Sequence, residues 1–584
     1  MSLDAKTLKL LTAKDQYLDV EWIDADSFCY LSPSDRGFRL MRQRFDHSEA
    51  IADGLGSSLP YAGQLYSTSH FLSLDGQLRA IHKGADRPLP GPSSDLRMRS
   101  DKTYIVSEVE GCDHIFVLSE DGWRSVHQSQ SYIRHVCLHP NGQDLLFLKW
   151  PRATLPWFAA ELFVLDLSSG SLTNLHPPEL NSPCGEAEYS PCGEYLACSF
   201  LTDEFFQLWL YRFKTQNWVQ LTFDAREHST PLRRSSRRTF TFIRGGLLAY
   251  TSSEKSFWRL ATLDYLGHGH TIKTPYTFIQ YPRANPETGS LAFFGGSLDY
   301  PYGPARLDLT KGRFTAYPVT PRLPVAKNLR VEHISWSSLN GETIHGILYR
   351  DVSCTQPQPL IMPIHGGPTD AVQASWPSKA LAFVKQGYAV FYVNYRGSFG
   401  YGMSYVQKLQ GAFGQLEIND LIRGVKSLEG SGWIDSSRVG LWGGGVASHT
   451  VLRALSLHPE VFAAGIAVFP ILDLQKHLSL CPIVERDELL WALGTSDPQI
   501  LGELSARTAL TQLTRPLGLF AGAHDPIAKT EELNLLVQTL KERKVSTWLT
   551  VYENEARIFR QSETYGDYYS QVAGFFDRFL KFRS

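Results

Sequence analysis

The chain has 584 residues, 43% of them hydrophobic and 20% charged, with a formal net charge of −2 at neutral pH. That length exceeds what one hydrophobic core serves, so two or three domains are expected, and the composition is that of a globular protein. The balanced charge removes any global electrostatic reason to expect nucleic acid or an anionic membrane as partner.

Residues 1–15 are charged throughout and lack the continuous apolar core of a secretory signal. Residues 5–11 fit a short amphipathic helix, and residues 1–18 are expected to pack on the C-terminal domain. The longest apolar stretch, residues 462–474, is too short for a bilayer and contains Pro470 and Asp473. The eight cysteines form no Cys-x-x-Cys pair. Reduced thiols in a cytoplasm are therefore expected, with no metal site and no cofactor. The basic cluster of Arg233, Arg234, Arg237 and Arg238 is short and interrupted, and reads as a solvated loop.

Residues 19–325 show short β-type runs broken by turns, with little helical periodicity. One phrase recurs: His139-Pro140-Asn141-Gly142, Ser190-Pro191-Cys192-Gly193 and Asn285-Pro286-Glu287-Thr288-Gly289, each leading into an apolar run. Proline presets the turn and glycine supplies its left-handed residue. The spacing fits a period of roughly 45 to 50 residues, with one copy between Pro191 and Pro286 too weak to see. A second phrase follows in register, from Leu162 to Gly170 and from Leu208 to Trp218, and reads as strand, polar turn and strand. A repeat of this length made of several strands is the signature of a β-propeller blade, so residues 19–325 predict a propeller of about seven blades. A large β-sandwich is the alternative that the repeat register disfavours.

Residues 326–584 change grammar. Residues 330–349 read as two strands around the Asn340-Gly341 turn. Strands at 360–364, 389–394 and 439–442 then alternate with helices at 378–386, 416–428 and 448–457. That alternation predicts a doubly wound, mostly parallel sheet with helices on both faces.

Four landmarks in this half carry a resemblance. His365-Gly366-Gly367-Pro368 follows one apolar strand, and Tyr395-Arg396-Gly397-Ser398-Phe399-Gly400-Tyr401-Gly402 follows the next. Gly414 and Asp420, with Trp433, Asp435 and Arg438, frame a helix. His458-Pro459-Glu460-Val461-Phe462-Ala463-Ala464 leads to Pro470 and Asp473. In this order and spacing the chain resembles the prolyl oligopeptidase (S9) family, most closely its acylaminoacyl-peptidase-like branch. The resemblance implies a serine peptidase domain of α/β-hydrolase fold preceded by a propeller that covers the active site and limits access to short peptides.

The elbow segment departs from that pattern. An α/β-hydrolase carries its nucleophile in Gly-x-Ser-x-Gly on a strained strand-to-helix turn. Here the segment is Gly443-Gly444-Gly445-Val446-Ala447-Ser448-His449, and Gly445 occupies the serine position. Asp525, in Gly522-Ala523-His524-Asp525-Pro526, matches the family's acid. Arg557, in Tyr552-Glu553-Asn554-Glu555-Ala556-Arg557-Ile558-Phe559, stands where the family has histidine. Arginine stays protonated and takes no proton from a serine. Losing the serine–histidine unit costs roughly 10³ to 10⁶ in kcat. The flanking residues have changed as well, which is the pattern of natural divergence.

Other groups are candidates for residual chemistry. Ser448 lies about one helical turn beyond Gly445, with His449 or His524 as candidate bases. The plainer readings are a first-turn serine, a core or rim histidine and a loop histidine. Cys481 reads as a buried thiol. The resemblance implies that backbone amides of Gly367 and Val446 form the oxyanion site. Arg557 and Asp525 are expected to face each other as an ion pair, or Arg557 to offer its charge to a carboxylate. Three readings follow. The first is a pseudoenzyme that binds a peptide-like or carboxylate-bearing small ligand, or a protein partner. The second is a non-hydrolytic tailoring enzyme of lyase or isomerase type. The third is a serine hydrolase with a relocated nucleophile.

Overall fold

The computed structural model describes residues 102–581 except 120–121, 230–237, 286 and 318–327; before residue 102 it describes little beyond the strands. The helix expected at residues 5–11 lies outside the described residues, as do Arg233, Arg234 and Arg237. Arg238 is described, and the solvated-loop reading fails for it. It is half-buried, with Nη1 3.2 Å from Glu188 Oε2, because a carboxylate on a neighbouring sheet supplies a partner. The chain divides into two compact units, one of residues 14–322 with 374–376 and the other of residues 1–13, 323–373 and 377–584.

The first unit is a β-propeller. Among the described residues it holds seven four-stranded sheets, each built from four consecutive strands. The recurring phrase is the turn between first and second strands. Gly142 N donates to His139 O at 2.9 Å, Gly193 N to Ser190 O at 2.9 Å, and Gly289 N to Asn285 O at 2.9 Å. All three glycines have φ between 70° and 78°, a region where a Cβ is costly. The copy missing from the sequence pattern is the turn at Gly245-Gly246, where two glycines with positive φ replace the Pro-x-Gly phrase.

Neighbouring sheets meet mainly through their first strands, and the first strand of the last sheet packs on the first strand of the first sheet. Tyr30 of the first sheet and Tyr281, Ala292, Phe294 and Tyr302 of the seventh form the apolar seam that closes this ring.

The second unit is built on one eight-stranded sheet. In chain order its strands are β1 (Leu329–Ser337), β2 (Thr343–Asp351), β3 (Gln358–Pro363), β4 (Ala389–Asn394), β5 (Ile434–Gly444), β6 (Ala464–Val468), β7 (Leu517–Gly522) and β8 (Thr547–Tyr552). Their spatial order is β1-β2-β4-β3-β5-β6-β7-β8. The pairs β1–β2 and β2–β4 are antiparallel, and the remaining neighbours are parallel. Strands β3, β6 and β7 are buried along their whole length, as expected where helices cover both faces.

The helices that matter for the site are α1 (Ser378–Val384), α2 (Leu416–Leu428), α3 (Val446–Leu457), α4 (Leu474–Leu480), α5 (Ile483–Leu493), α6 (Pro498–Leu504), α7 (Thr530–Glu542) and α8 (Ser562–Phe576). Strand β5 is longer than the expected 439–442, and α3 starts at Val446 instead of Ser448. The helix therefore begins immediately after Gly445. No helix among the described residues is long and apolar enough to cross a membrane.

Candidate functional site

The C-terminal ends of the parallel strands carry the candidate residues. In open α/β sheets this is where ligands bind. Strand β5 ends at Gly444 and α3 starts at Val446, leaving Gly445 as the single linking residue with φ 57° and ψ −125°. Glycine adopts this conformation freely, whereas a side chain is strained in it. Gly445 N donates to Val468 O at 3.0 Å, which ties the turn to the end of β6. Gly443 is needed for a different reason: a Cβ there would lie 2.6 Å from Ala447 O. At Gly445 itself a Cβ would meet one group within contact range, Arg557 Nη2 at 3.9 Å.

Asp525 lies on the loop after β7, and Arg557 on the loop after β8. The Asp525 carboxylate is fully buried, and its Oδ1 accepts from Ile527 N at 2.8 Å and Ala528 N at 3.2 Å. Its Oδ2 lies 3.5 Å from Arg557 Nη1, longer than the usual charge-assisted bond of about 2.7 to 2.9 Å. The loop carrying Arg557 is held by buried Glu555, whose two carboxylate oxygens accept from Arg560 N at 2.8 Å and Gln561 N at 2.9 Å. Glu555 O in turn accepts from His524 N at 2.9 Å, locking the two loops together.

The His-Gly-Gly-Pro turn after β3 stands beside the elbow, with an ideal Cβ on Gly366 3.9 Å from Gly444 O. Gly367 has φ 51°. The next residue but one, Thr369, donates both N and Oγ1 to buried Glu488 Oε1, at 3.2 and 2.7 Å. His365 stacks on Tyr395 at 4.2 Å. Tyr395 Oη donates to Pro368 O at 3.0 Å.

The candidate substitutes for the missing groups are committed elsewhere. Ser448 is fully buried; its hydroxyl donates to Gly445 O at 2.5 Å and accepts from Ile471 N at 3.0 Å. His449 is buried against Phe413 and donates Nε2–H to Leu504 O at 2.9 Å. Burial, helped by Arg453, pushes its pKa down to about 3. Both therefore serve the packing of α3: the Ser448 hydroxyl is bonded on both sides and the unpartnered Nδ1 of His449 is buried, so neither has the exposure that the relocated-nucleophile reading requires. His524 is an exposed loop residue. Cys481 caps α4, and burial pushes its thiol up to about 11, which keeps it protonated and unreactive.

Sequence reasoning missed His477. It sits on α4, is 1% exposed, and neither ring nitrogen has a hydrogen-bond partner. Burial and the Arg557 guanidinium hold its pKa down at about 3. Nothing in the surrounding sequence marks it; the only hint is that it precedes Cys481 by four residues, on the same helical face. No group of three or more His, Cys, Asp or Glu side chains among the described residues is arranged to hold a metal ion.

Residues 375–583 match the model of the prolyl oligopeptidase family. This stretch is thus a domain of that family. Among curated relatives, dipeptidyl aminopeptidase BIII of Pseudoxanthomonas mexicana is 26% identical over 234 residues, 38% of this chain and 34% of the relative. The acylamino-acid-releasing enzyme of Sus scrofa is 26% identical over 246 residues, 40% of this chain and 33% of the relative. The matched stretch thus spans about a third of the length of these family members. Among solved structures, a puromycin-hydrolyzing peptidase of Mycobacterium tuberculosis superposes with a TM-score of 0.88 at 18% identity, covering 100% of this chain and 97% of the other. The crystal structure of a puromycin hydrolase gives a TM-score of 0.86 at 20% identity, with the same coverage. These likenesses establish the two-domain fold of the family.

Proposed function

We propose that this protein is a pseudoenzyme of the prolyl oligopeptidase family, which binds a peptide-like ligand, or a protein partner, at the peptidase elbow without cleaving it. One observation carries the reading. Gly445 stands on the turn where this fold carries its nucleophile, and the group that a side chain there would meet is the guanidinium of Arg557. Neither can form or relay an acyl-enzyme. Asp525 is in our reading the retained acid, now facing a permanent cation instead of orienting an imidazole. The amides of Gly367 and Val446 are proposed to remain as donors to a ligand carbonyl, because backbone donors persist when side chains change.

Lyase or isomerase chemistry would need a base beside the elbow. His449 is a poor one, being bonded to Leu504 O and held neutral down to acid pH. A reducing cytoplasm is the compartment we propose, supported by the free thiols of the described cysteines.

The test is activity-based labelling of the full-length protein with a fluorophosphonate, alongside hydrolysis assays on acyl-peptide anilides. No labelling and no turnover are expected. Stoichiometric labelling that disappears in Ser448→Ala would overturn the reading in favour of a relocated nucleophile.

A further inference from the structure

Arg557 has five donor hydrogens and a single long bond, to Asp525 Oδ2 at 3.5 Å. Its Nη2 is instead the atom that a Cβ on Gly445 would meet, at 3.9 Å, with none other within 4 Å apart from those of the two chain neighbours. Nearby, both nitrogens of buried His477 are unpartnered. An unpaired polar group in the interior is costly, so a retained one calls for a partner. His477 and Cys481 lie four residues apart on one face of α4 and its cap, and the Arg557 charge acts on both. The charge of Arg557 thus reaches that face of α4.

The charges select the ligand. Arg557 and Asp525 together are neutral, and His477 is held neutral by burial. A dianion such as a phosphate monoester would set two negative charges beside a guanidinium that already faces Asp525, a larger repulsion than a monoanion meets. A monoanion can take the free edge of the guanidinium, whose planar fork matches a carboxylate. A neutral imidazole offers one N–H and one lone pair, which suits the amide group next to such a carboxylate.

We propose that Gly445, Arg557 and His477 form a recognition site for the C-terminal end of a peptide or an N-acyl amino acid, binding its carboxylate and the adjoining amide. The loss of the serine side chain makes the room, and the replacement of histidine by arginine supplies the charge. This assignment rests on the non-hydrolytic reading above and names its ligand class.

The experiment is isothermal titration calorimetry on the full-length protein with N-acetyl-Ala-Ala as the free acid and as its carboxamide. The acid is expected to bind at least about tenfold more tightly than the amide. Arg557→Gln should abolish that difference, Arg557→Lys should keep part of it, and His477→Phe should weaken the acid and the amide alike. Melting temperatures of the variants report folding. Equal binding of acid and amide, or an unchanged preference in a folded Arg557→Gln, overturns the carboxylate site. Absence of binding by both, with no fluorophosphonate labelling, overturns the site and leaves the non-hydrolytic reading standing. Labelling of the wild type overturns that reading itself.

Discussion

Two arginine–aspartate pairs of the hydrolase unit look alike in sequence and differ in kind. Arg396 binds Asp420 through Nε at 3.1 Å and Nη2 at 2.6 Å, and its backbone N donates to the same carboxylate at 2.9 Å. The Arg396 side chain is 6% exposed and the Asp420 side chain 0%. Removing one partner strands the other charge in the interior. Arg557 makes one long contact to Asp525, and Asp525 keeps two backbone donors without it. We therefore expect Arg396→Ala to cost about 3 to 5 kcal/mol of stability, and Arg557→Gln about 1 kcal/mol or less. Urea denaturation of the two variants, followed through the transition of the hydrolase unit, checks this. The Arg396 landmark and the Arg557 replacement were both legible as residues. Their difference was not, because it depends on how many donors converge on each carboxylate.

At the scale of elements, α3 is anchored at its start and along its side. Ser448 ties its first turn to Ile471 N, and Thr450 Oγ1 donates to Glu417 Oε1 of α2 at 3.1 Å. Both Glu417 oxygens also accept from Gly414 N at 2.9 Å. Burial raises the Glu417 pKa to about 7, against its hydrogen-bond donors and Arg453. In the unfolded chain the carboxyl ionises near its ordinary value of about 4.3. The folded form thus holds its proton more tightly. The contribution is fully present below the unfolded pKa and is lost as pH rises through about 7. Glu417→Gln should flatten this slope, so the melting temperature of the variant relative to wild type should rise from pH 5 to pH 9. A constant difference across that range would contradict the assignment. The elbow's small residues were readable because a strained turn restricts composition. The locking of Ser448 was not, since Ile471 lies 23 residues away in the chain. His477 stayed hidden for the same reason: its significance lies in the absence of a partner, which no local pattern encodes.

At the scale of the whole molecule, the propeller closes without sharing a strand. Each sheet uses four consecutive strands, so no shared strand closes the ring, and among the described residues packed side chains hold its seam. Phe294 is fully buried there, with ring centroids 5.9 Å from Tyr30 and 5.9 Å from Tyr281. Phe294→Ala should cost about 3 to 5 kcal/mol as a core truncation. Because the seam joins the first sheet to the last, the loss should appear as a lowered urea midpoint of the propeller unit. A midpoint unchanged from wild type would mean that the seam does not limit the stability of the ring.

The sequence by itself determined the elements whose backbone demands particular residues. The Pro-x-Gly turns marked the blades, the Asn340-Gly341 turn marked the first hairpin of the hydrolase unit, and the glycines around position 445 marked the elbow. Each follows from a dihedral angle that few residues tolerate. The same logic explains the copy that was hidden, since the Gly245-Gly246 pair makes its turn without proline. It also explains why the bulged first strands at His135 and Tyr281 escaped notice, for both are non-glycine residues with φ near 60° that the sheet alone imposes. Only the tertiary structure decided which polar groups are spent and which are free. Ser448 and the Nε2 of His449 are engaged by partners far along the chain, Ile471 N and Leu504 O, while Arg557 keeps unused donors beside Gly445 and both ring nitrogens of His477 are unpartnered. Hydrogen-bond satisfaction is a property of the packed interior, and it is fixed only when distant strands and loops meet.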